Sequence, residues 1–215
     1  MTKLYFIRHG ESAMNRENRF AGNTDTPLTA LGREQAARTA AYLTDVPFTA
    51  VYASSLSRAF ETGSILAAPH GLPVQPCDGL REINAGVWEG LPYETIYARY
   101  EADFRIWIEQ IGLAACTGGE SVAQLQQRVR RAVETIARRH SGESVCIATH
   151  ATPIRAMECV WRGLPLSAMQ SIPWVSNASV TIVEYDDDGS SRLVERDIHA
   201  HLGDEVTVLP DTRSM

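Results

Sequence analysis

The chain has little from which to build a membrane span, a disulfide framework or a nucleic-acid surface. None of its apolar runs approaches the ~20 residues that a transmembrane helix needs. Its first segment lacks the charged, then apolar, then small-residue layout of a secretory leader. Cys77, Cys116, Cys146 and Cys159 are far apart and form no Cys-x-x-Cys pair, so free thiols in a reducing cytoplasm are expected. A net charge of −6 argues against a basic nucleic-acid face, though it leaves room for a local cationic pocket. There is no Gly-Lys-Ser/Thr phosphate loop and no Gly-x-Gly-x-x-Gly fingerprint, which removes support for nucleotide-dependent kinases and dehydrogenases. Repeats and low-complexity linkers are absent as well. What is left is ordinary globular composition over 215 residues, enough for one well-buried core with at most a small cap.

The most informative stretch is the first. Met1 to Ile7 reads as a buried strand and runs directly into Arg8-His9-Gly10-Glu11-Ser12. In a parallel α/β sheet, ligand groups gather just beyond the carboxyl ends of the strands. Arg8 offers a planar, permanently charged fork suited to phosphate, and His9 offers a nucleophilic imidazole. Gly10 would let the backbone come close to a ligand. Taken alone, the tripeptide reads more readily as the start of a polar surface loop, since short motifs match often by chance.

Two further strands end in the same way. Thr49 to Ala53 is followed by Ser54-Ser55-Leu56-Ser57 and a helix beginning near Arg58, with Ser57 as the expected cap. A cation in a first helical turn faces the positive end of the macrodipole, which is unfavourable unless an anion joins it. A solvated arginine is the competing reading. Ser144 to Thr149 ends at His150, with Pro153 in the first turn of the next helix. Arg8-His9, Arg58 and His150 therefore all follow short apolar strands, and a parallel sheet would bring them to one edge.

The remaining segments supply the scaffold. Thr29 is an expected cap for an alanine-rich helix to about Leu43, and Ser121 with Gln124 fits a capping box. Residues 69–90 read as loop-rich. From about Tyr93 to Gln110 a helical stretch is expected, whose aromatics, Tyr93, Tyr97, Tyr100, Phe104 and Trp107, have core spacing. Ser179 to Tyr185 and Arg192 to Ile198 form an expected hairpin, which makes the sheet mixed. Glu184, Asp186, Asp188, Gly189 and Glu195 imitate calcium-loop spacing, but their flanks alternate like strands, so a turn is expected and no metal. His140 is expected to interact with a helix dipole, and His201 to pack or hydrogen-bond structurally.

With these motifs in hand, the chain resembles the histidine phosphatase superfamily, the phosphoglycerate-mutase-like proteins, over nearly its whole length. The resemblance rests on Arg8 to Ser12, Asn15, Gly22, Asp25, Pro27-Leu28-Thr29, Gly32, Ser54 to Ala59 and Thr62. It also rests on Leu80-Arg81-Glu82-Ile83, Gly86 to Gly90, Gly119-Glu120-Ser121, His150 and His201-Leu202. The fold it implies is a three-layer α/β/α sandwich with a mostly parallel mixed sheet. It would be a single domain over residues 1–215 with a small helical cap around 91–120.

The resemblance also implies a site. His9 would be the nucleophile, Glu82 the proton donor, and Arg8, Arg58 and His150 the groups holding phosphate oxygens. Gly10, Asn15, Asn23 and Ala151 would complete substrate binding. Ala151 departs from the glycine common after the second histidine, and alanine dislikes positive φ. No cofactor is implied, since arginines supply the positive charge. The substrate would be a small phosphorylated metabolite in the cytoplasm, and a homodimer is a further expectation. A metal-independent phosphatase is the leading reading. A phosphoglycerate mutase is the alternative, disfavoured because residues 91–120 carry only Arg99 and Arg105 and no proline after Pro92. An inactive phosphate-binding module is a third reading, against which both nucleophile and acid are retained.

Overall fold

The computed structural model describes residues 1–209. Six strands form one mixed sheet: β1 (Thr2–Arg8), β2 (Phe48–Ala53), β3 (Val74–Pro76), β4 (Ser144–Thr149), β5 (Val180–Tyr185) and β6 (Ser191–Ile198). Their spatial order is β3-β2-β4-β1-β5-β6. The pairs β1–β4, β2–β4 and β2–β3 are parallel, whereas β1–β5 and β5–β6 are antiparallel. The helices are α1 (Ala13–Arg16), α2 (Ala30–Tyr42), α3 (Ser57–Ala67), α4 (Tyr93–Arg99), α5 (Glu101–Glu109), α6 (Val122–Arg139) and α7 (Ala151–Trp161).

The central strands are apolar without interruption because both of their faces are covered. Leu4, Phe6, Ala50, Tyr52, Val145 and Ile147 pack with α6 and α7. Tyr5, Ile7, Val51, Ala53, Cys146 and Ala148 face the other way, toward Ala40 and Leu43 at the end of α2 and Leu66 and Ala67 of α3. This alternation of period two produces the three layers. The sequence expectation of a three-layer, mostly parallel mixed sheet matches the observed architecture. Residues 210–215 of the expected 1–215 domain lie outside the described residues.

Caps explain where the helices start. The Thr29 hydroxyl accepts from the Gly32 N–H at 3.0 Å, and Ser121 with Gln124 forms the reciprocal capping box. Ser57 does not cap α3, contrary to expectation. It is the first helical residue, its own N–H donates to the Asp25 carboxylate at 2.8 Å, and its hydroxyl donates to the Thr26 carbonyl. The cap is therefore supplied from a loop about thirty residues earlier.

Two other stretches are resolved more finely than the sequence shows. The stretch 69–90 contains β3, whose three residues were too few to show a period. The helix expected over Tyr93 to Gln110 is two helices, broken at Tyr100 (φ −132°, ψ 40°). Phe104 and Trp107 of α5, and Tyr93 and Ile96 of α4, still join the cluster that covers the sheet. The calcium-like run is the β5–β6 turn, with the Asp186 N–H donating to the Ser190 carbonyl at 2.9 Å and Glu184 paired with Arg192. His201 packs as expected, stacked on Tyr42 and hydrogen-bonded to Thr39. The His140 ring meets Glu143 and the Tyr52 hydroxyl instead of helix carbonyls.

One close contact fixes the loop after β1. A Cβ on Gly10 would lie 2.1 Å from the Gly32 carbonyl oxygen, and a Cβ on Gly32 would lie 2.1 Å from that of Glu11. The start of α2 is thus pressed backbone to backbone against the loop that carries His9, a packing only glycine permits.

Candidate active site

The parallel registers align three strand ends. Arg8 pairs with Thr149, and Ala53 with Ala148, so His9, the segment Ser54–Arg58 and His150 leave the sheet side by side. One cavity is lined by Arg8, His9, Asn15, Arg58, Glu82 and Ala151, with Thr152 beside them. The His150 ring lies behind it, its centroid 5.1 Å from that of His9.

His9 is buried, and its Nδ1 lies 2.7 Å from the Gly10 carbonyl oxygen. A carbonyl can only accept, so Nδ1 carries the hydrogen and Nε2 keeps its lone pair. Burial, followed by the nearby Arg58 and Arg8 guanidiniums, pushes the His9 pKa well below its ordinary value. The imidazole is therefore neutral and nucleophilic at neutral pH.

Both arginines are buried and held at one edge only. Arg8 Nη1 donates to the Val175 carbonyl at 2.6 Å, and Arg58 donates from Nη1 to Thr24 and from Nη2 to Gly22. Each Nε is buried without a partner, as is His150 Nδ1. Burial pulls both arginines down to about 10, which leaves them cationic at neutral pH. The Ser54 hydroxyl accepts from the Leu56 N–H and lies 2.8 Å from His150 Nε2. Its own hydrogen can then go to Nε2, leaving Nδ1–H as a free donor on an imidazole kept neutral first by burial and then by Arg58. Orphaned buried donors each cost about 1–3 kcal/mol, and a common acceptor would remove that cost.

Glu82 sits across the cavity and keeps part of its surface open to it. Burial raises its pKa, against opposing hydrogen bonds from the Ile83 and Thr152 N–H groups and the charge of Arg58. Glu89 acts at one remove. Its carboxylate accepts from the backbone N–H groups of Asn23, Thr24 and Ala85, holding the loop whose carbonyls grip Arg58.

Two of the sequence-derived binding residues, Gly10 and Asn23, lie outside the cavity lining, whereas Ala151 and Asn15 are part of it. The Gly10 N–H is taken by the Thr62 hydroxyl at 3.2 Å, and its missing Cβ serves contact with Gly32 and not approach to a ligand. Asn23 lines a separate cleft with Asp78, Arg81 and Asn84. Ala151 lines the cavity as the first residue of α7, and it is not among the residues with positive φ, so alanine carries no strain there. Asn15 does reach the cavity. Its Oδ1 accepts from the Ser12 N–H and hydroxyl, which leaves its amide N–H groups to donate.

The opposite wall went unnoticed in the sequence. Phe20, Tyr93, Trp107, Trp174 and Leu209 line it, with Arg19 at the side. Arg19 is held by Glu17 at 3.0 Å and by the Gly90 carbonyl at 2.9 Å. The Trp107 and Trp174 rings stack at 6.5 Å, and Arg155 lies 4.2 Å over Trp174. These residues come from distant stretches with no shared spacing. The core-like period of the aromatics in 93–107 signals burial but cannot show that Tyr93 and Trp107 also line the cavity.

No group of three or more His, Cys, Asp or Glu side chains suited to a metal ion occurs among the described residues. No helix among them is long and apolar enough to cross a membrane.

Comparison with known proteins agrees with this geometry. The family model for the histidine phosphatase superfamily (branch 1) matches residues 4–197. Phosphoserine phosphatase 1 of Hydrogenobacter thermophilus is 32% identical over 204 residues, covering 95% of this chain and 96% of that one. Probable phosphoglycerate mutase GpmB of Yersinia enterocolitica is 30% identical over 185 residues, covering 86% of each. Among solved structures, YhfR of Bacillus stearothermophilus superposes with a TM-score of 0.90 at 35% identity, covering 94% of this chain and all of that one.

Proposed function

The chain belongs to the histidine phosphatase superfamily, and from that premise we propose that it hydrolyses small phosphate monoesters through a phosphohistidine on His9. The observation that carries the proposal is the His9 ring itself. Its Nδ1–H is committed to the Gly10 carbonyl, and its unprotonated Nε2 belongs to a side chain lining the cavity beside two buried arginines.

His9 Nε2 attacks phosphorus in line, a P–N bond forms, and the ester P–O bond breaks. Glu82 gives its proton to the leaving oxygen. A water molecule then attacks the phosphohistidine, Glu82 takes the water's proton, and phosphate leaves with His9 restored. The free N–H groups of Arg8, Arg58, His150 and Asn15 would hold the non-bridging oxygens and offset charge as the phosphoryl group transfers. The two pKa directions suit the two roles: His9 lowered to stay a base, Glu82 raised to keep a proton. The phosphatase relative at 32% identity supports hydrolysis as the outcome.

The aromatic wall favours an ester whose organic part presents an apolar face. The mutase reading is favoured by the probable phosphoglycerate mutase relative. It asks for cations free to hold a substrate carboxylate, whereas Arg19, the third arginine of the cavity, is engaged by Glu17 and Gly90. The reading includes a cytoplasmic setting and no cofactor.

The test is phosphate release from a panel of phosphorylated metabolites in excess EDTA, with wild type beside His9→Ala. Release by wild type alone is expected. Interconversion of phosphoglycerates without release would favour the mutase, and binding of phosphate without turnover by either protein would favour the inactive module.

A further inference from the structure

The loop that carries His9 is closed into a ring of hydrogen bonds that the mechanism above does not use. The Glu11 N–H donates to Gln35 Oε1 at 2.8 Å, which fixes the direction of the Gln35 amide. Gln35 Nε2 then donates to the Thr207 hydroxyl at 2.9 Å. With its lone pair engaged, that hydroxyl donates onward to Asn177 Oδ1 at 3.1 Å. Asn177 is buried, and its two amide hydrogens face the active site. Nδ2 lies 3.0 Å from the His9 carbonyl oxygen and 3.4 Å from Asn15 Oδ1. Every donor in the series points the same way, so the members polarise one another.

The backbone around Asn177 reinforces the same contact. The Asn177 N–H donates to the Thr207 carbonyl at 2.8 Å, so residue 207 is bound by both main chain and side chain. The next residue, Ala178, is buried in the left-handed region at φ 54°, an unfavourable conformation for alanine. It is held there by its N–H, shared between the Arg8 and His9 carbonyls, and by its carbonyl, which accepts from the Thr39 hydroxyl at 2.8 Å. Strained backbone that persists in a buried loop is over-determined by its surroundings, and here the N–H side of that restraint ends on the Arg8 and His9 carbonyls.

We propose that Asn177 is a positioning residue for the phosphoryl-transfer site, and that Thr207 of the C-terminal segment is the clip that orients it. By donating to the His9 carbonyl, Asn177 fixes the peptide on which the nucleophile's ring hangs. By donating to Asn15 Oδ1, it adds a third hydrogen bond to that oxygen, which keeps the Asn15 amide hydrogens turned to the phosphate. The C-terminal segment, otherwise only a wall of the cavity through Leu209, thereby helps set the aim of His9. The inference rests on the phosphohistidine reading for the meaning of that aim.

The test compares wild type with Asn177→Ala, Thr207→Val and Thr207→Ser. Each protein is assayed for kcat and KM on p-nitrophenyl phosphate, for inorganic phosphate binding by calorimetry and for thermal midpoint. Asn177→Ala should lower kcat by roughly 10- to 100-fold, as expected for a misaligned nucleophile, with KM raised no more than about fivefold. Thr207→Val should lose about five- to tenfold in kcat, and Thr207→Ser, which keeps the hydroxyl, should stay within about twofold of wild type. A purely structural role would move the midpoint but not separate kcat from KM or valine from serine. Should Asn177→Ala not fold, the two variants at half-buried Thr207 decide alone. The inference is overturned if folded Asn177→Ala or Thr207→Val keeps wild-type kcat, or if serine fails as badly as valine. Wild type inert toward p-nitrophenyl phosphate would sink the hydrolase reading. Phosphate affinity would then decide the inference, weakened about three- to fivefold by Asn177→Ala and Thr207→Val if it holds and unchanged if it does not.

Discussion

The cavity has two ends built on opposite plans. At the phosphate end, Arg8, His9, Arg58 and His150 are all buried, and each is placed by the end of a parallel strand or the first turn of the helix after it. Away from them, Phe20, Trp107, Trp174 and Leu209 give the lining an apolar side built from loops and a short helix, and Tyr93 joins the two parts, its hydroxyl near enough to feel the charges of Arg8 and Glu82. Charges held in a sheet edge cannot shift without disturbing the core, which suits chemistry that must be aimed. A wall assembled from loops can change residue by residue without touching the sheet, which suits selection of the organic group. Reaction and selectivity thus rest on different parts of the fold.

Perturbing the phosphate end should produce the largest losses. His9→Ala removes the attacking nitrogen and should lower phosphate release by roughly 10⁴-fold or more, measured by sensitive phosphate detection. Glu82→Gln should cost roughly 10²- to 10⁴-fold on alkyl phosphates and much less on p-nitrophenyl phosphate, whose leaving oxygen needs no proton. The same variant gives the pH test. His9 must be deprotonated and its pKa is lowered, so the acid limb of kcat/KM should lie below the ordinary histidine value of 6.5. Glu82 must be protonated and its pKa is raised, so the alkaline limb should lie above 4.5 and should vanish in Glu82→Gln. Arg58→Met keeps the packing of the side chain but removes its donors, and should cost roughly 10²- to 10³-fold in kcat/KM.

Perturbing the aromatic end should do less, and selectively. Trp174→Ala should raise KM for aryl phosphates by about tenfold, the value of one aromatic contact, with a change under about threefold for a small alkyl phosphate. A uniform fall in kcat for every substrate would break the division of labour, because Trp174 would then be acting on the phosphate end.

The two ends also differed in how far the sequence revealed them. Arg8, His9, Arg58 and His150 were legible because each follows an apolar β-prone run, and parallel strands must bring such ends together. Glu82 lies in a loop with no periodic signal, and only the family resemblance singled it out. The neighbour that requires glycine at position 10 is Gly32, brought in by tertiary packing that no local pattern encodes. Asn23 is singled out only by the resemblance, and the residue lines another cleft. The aromatic wall and the Thr207–Asn177 contact join residues remote in sequence, and the pieces carry no shared spacing. Helix boundaries followed their caps where the cap was local, as at Thr29 and Ser121. At α3 the start lies within one residue of the one expected, but the capping group is the Asp25 carboxylate from far upstream and not Ser57.

The central claim is that phosphate passes through His9, and rapid quenching tests it most directly. Wild type would be mixed with labelled p-nitrophenyl phosphate, stopped in alkali within one turnover and digested, and the labelled peptide sequenced. The account predicts an alkali-stable, acid-labile phosphate on the peptide containing His9, formed no more slowly than turnover and absent in His9→Ala. Turnover with no label at His9, or label on another residue formed at the rate of turnover, would contradict it.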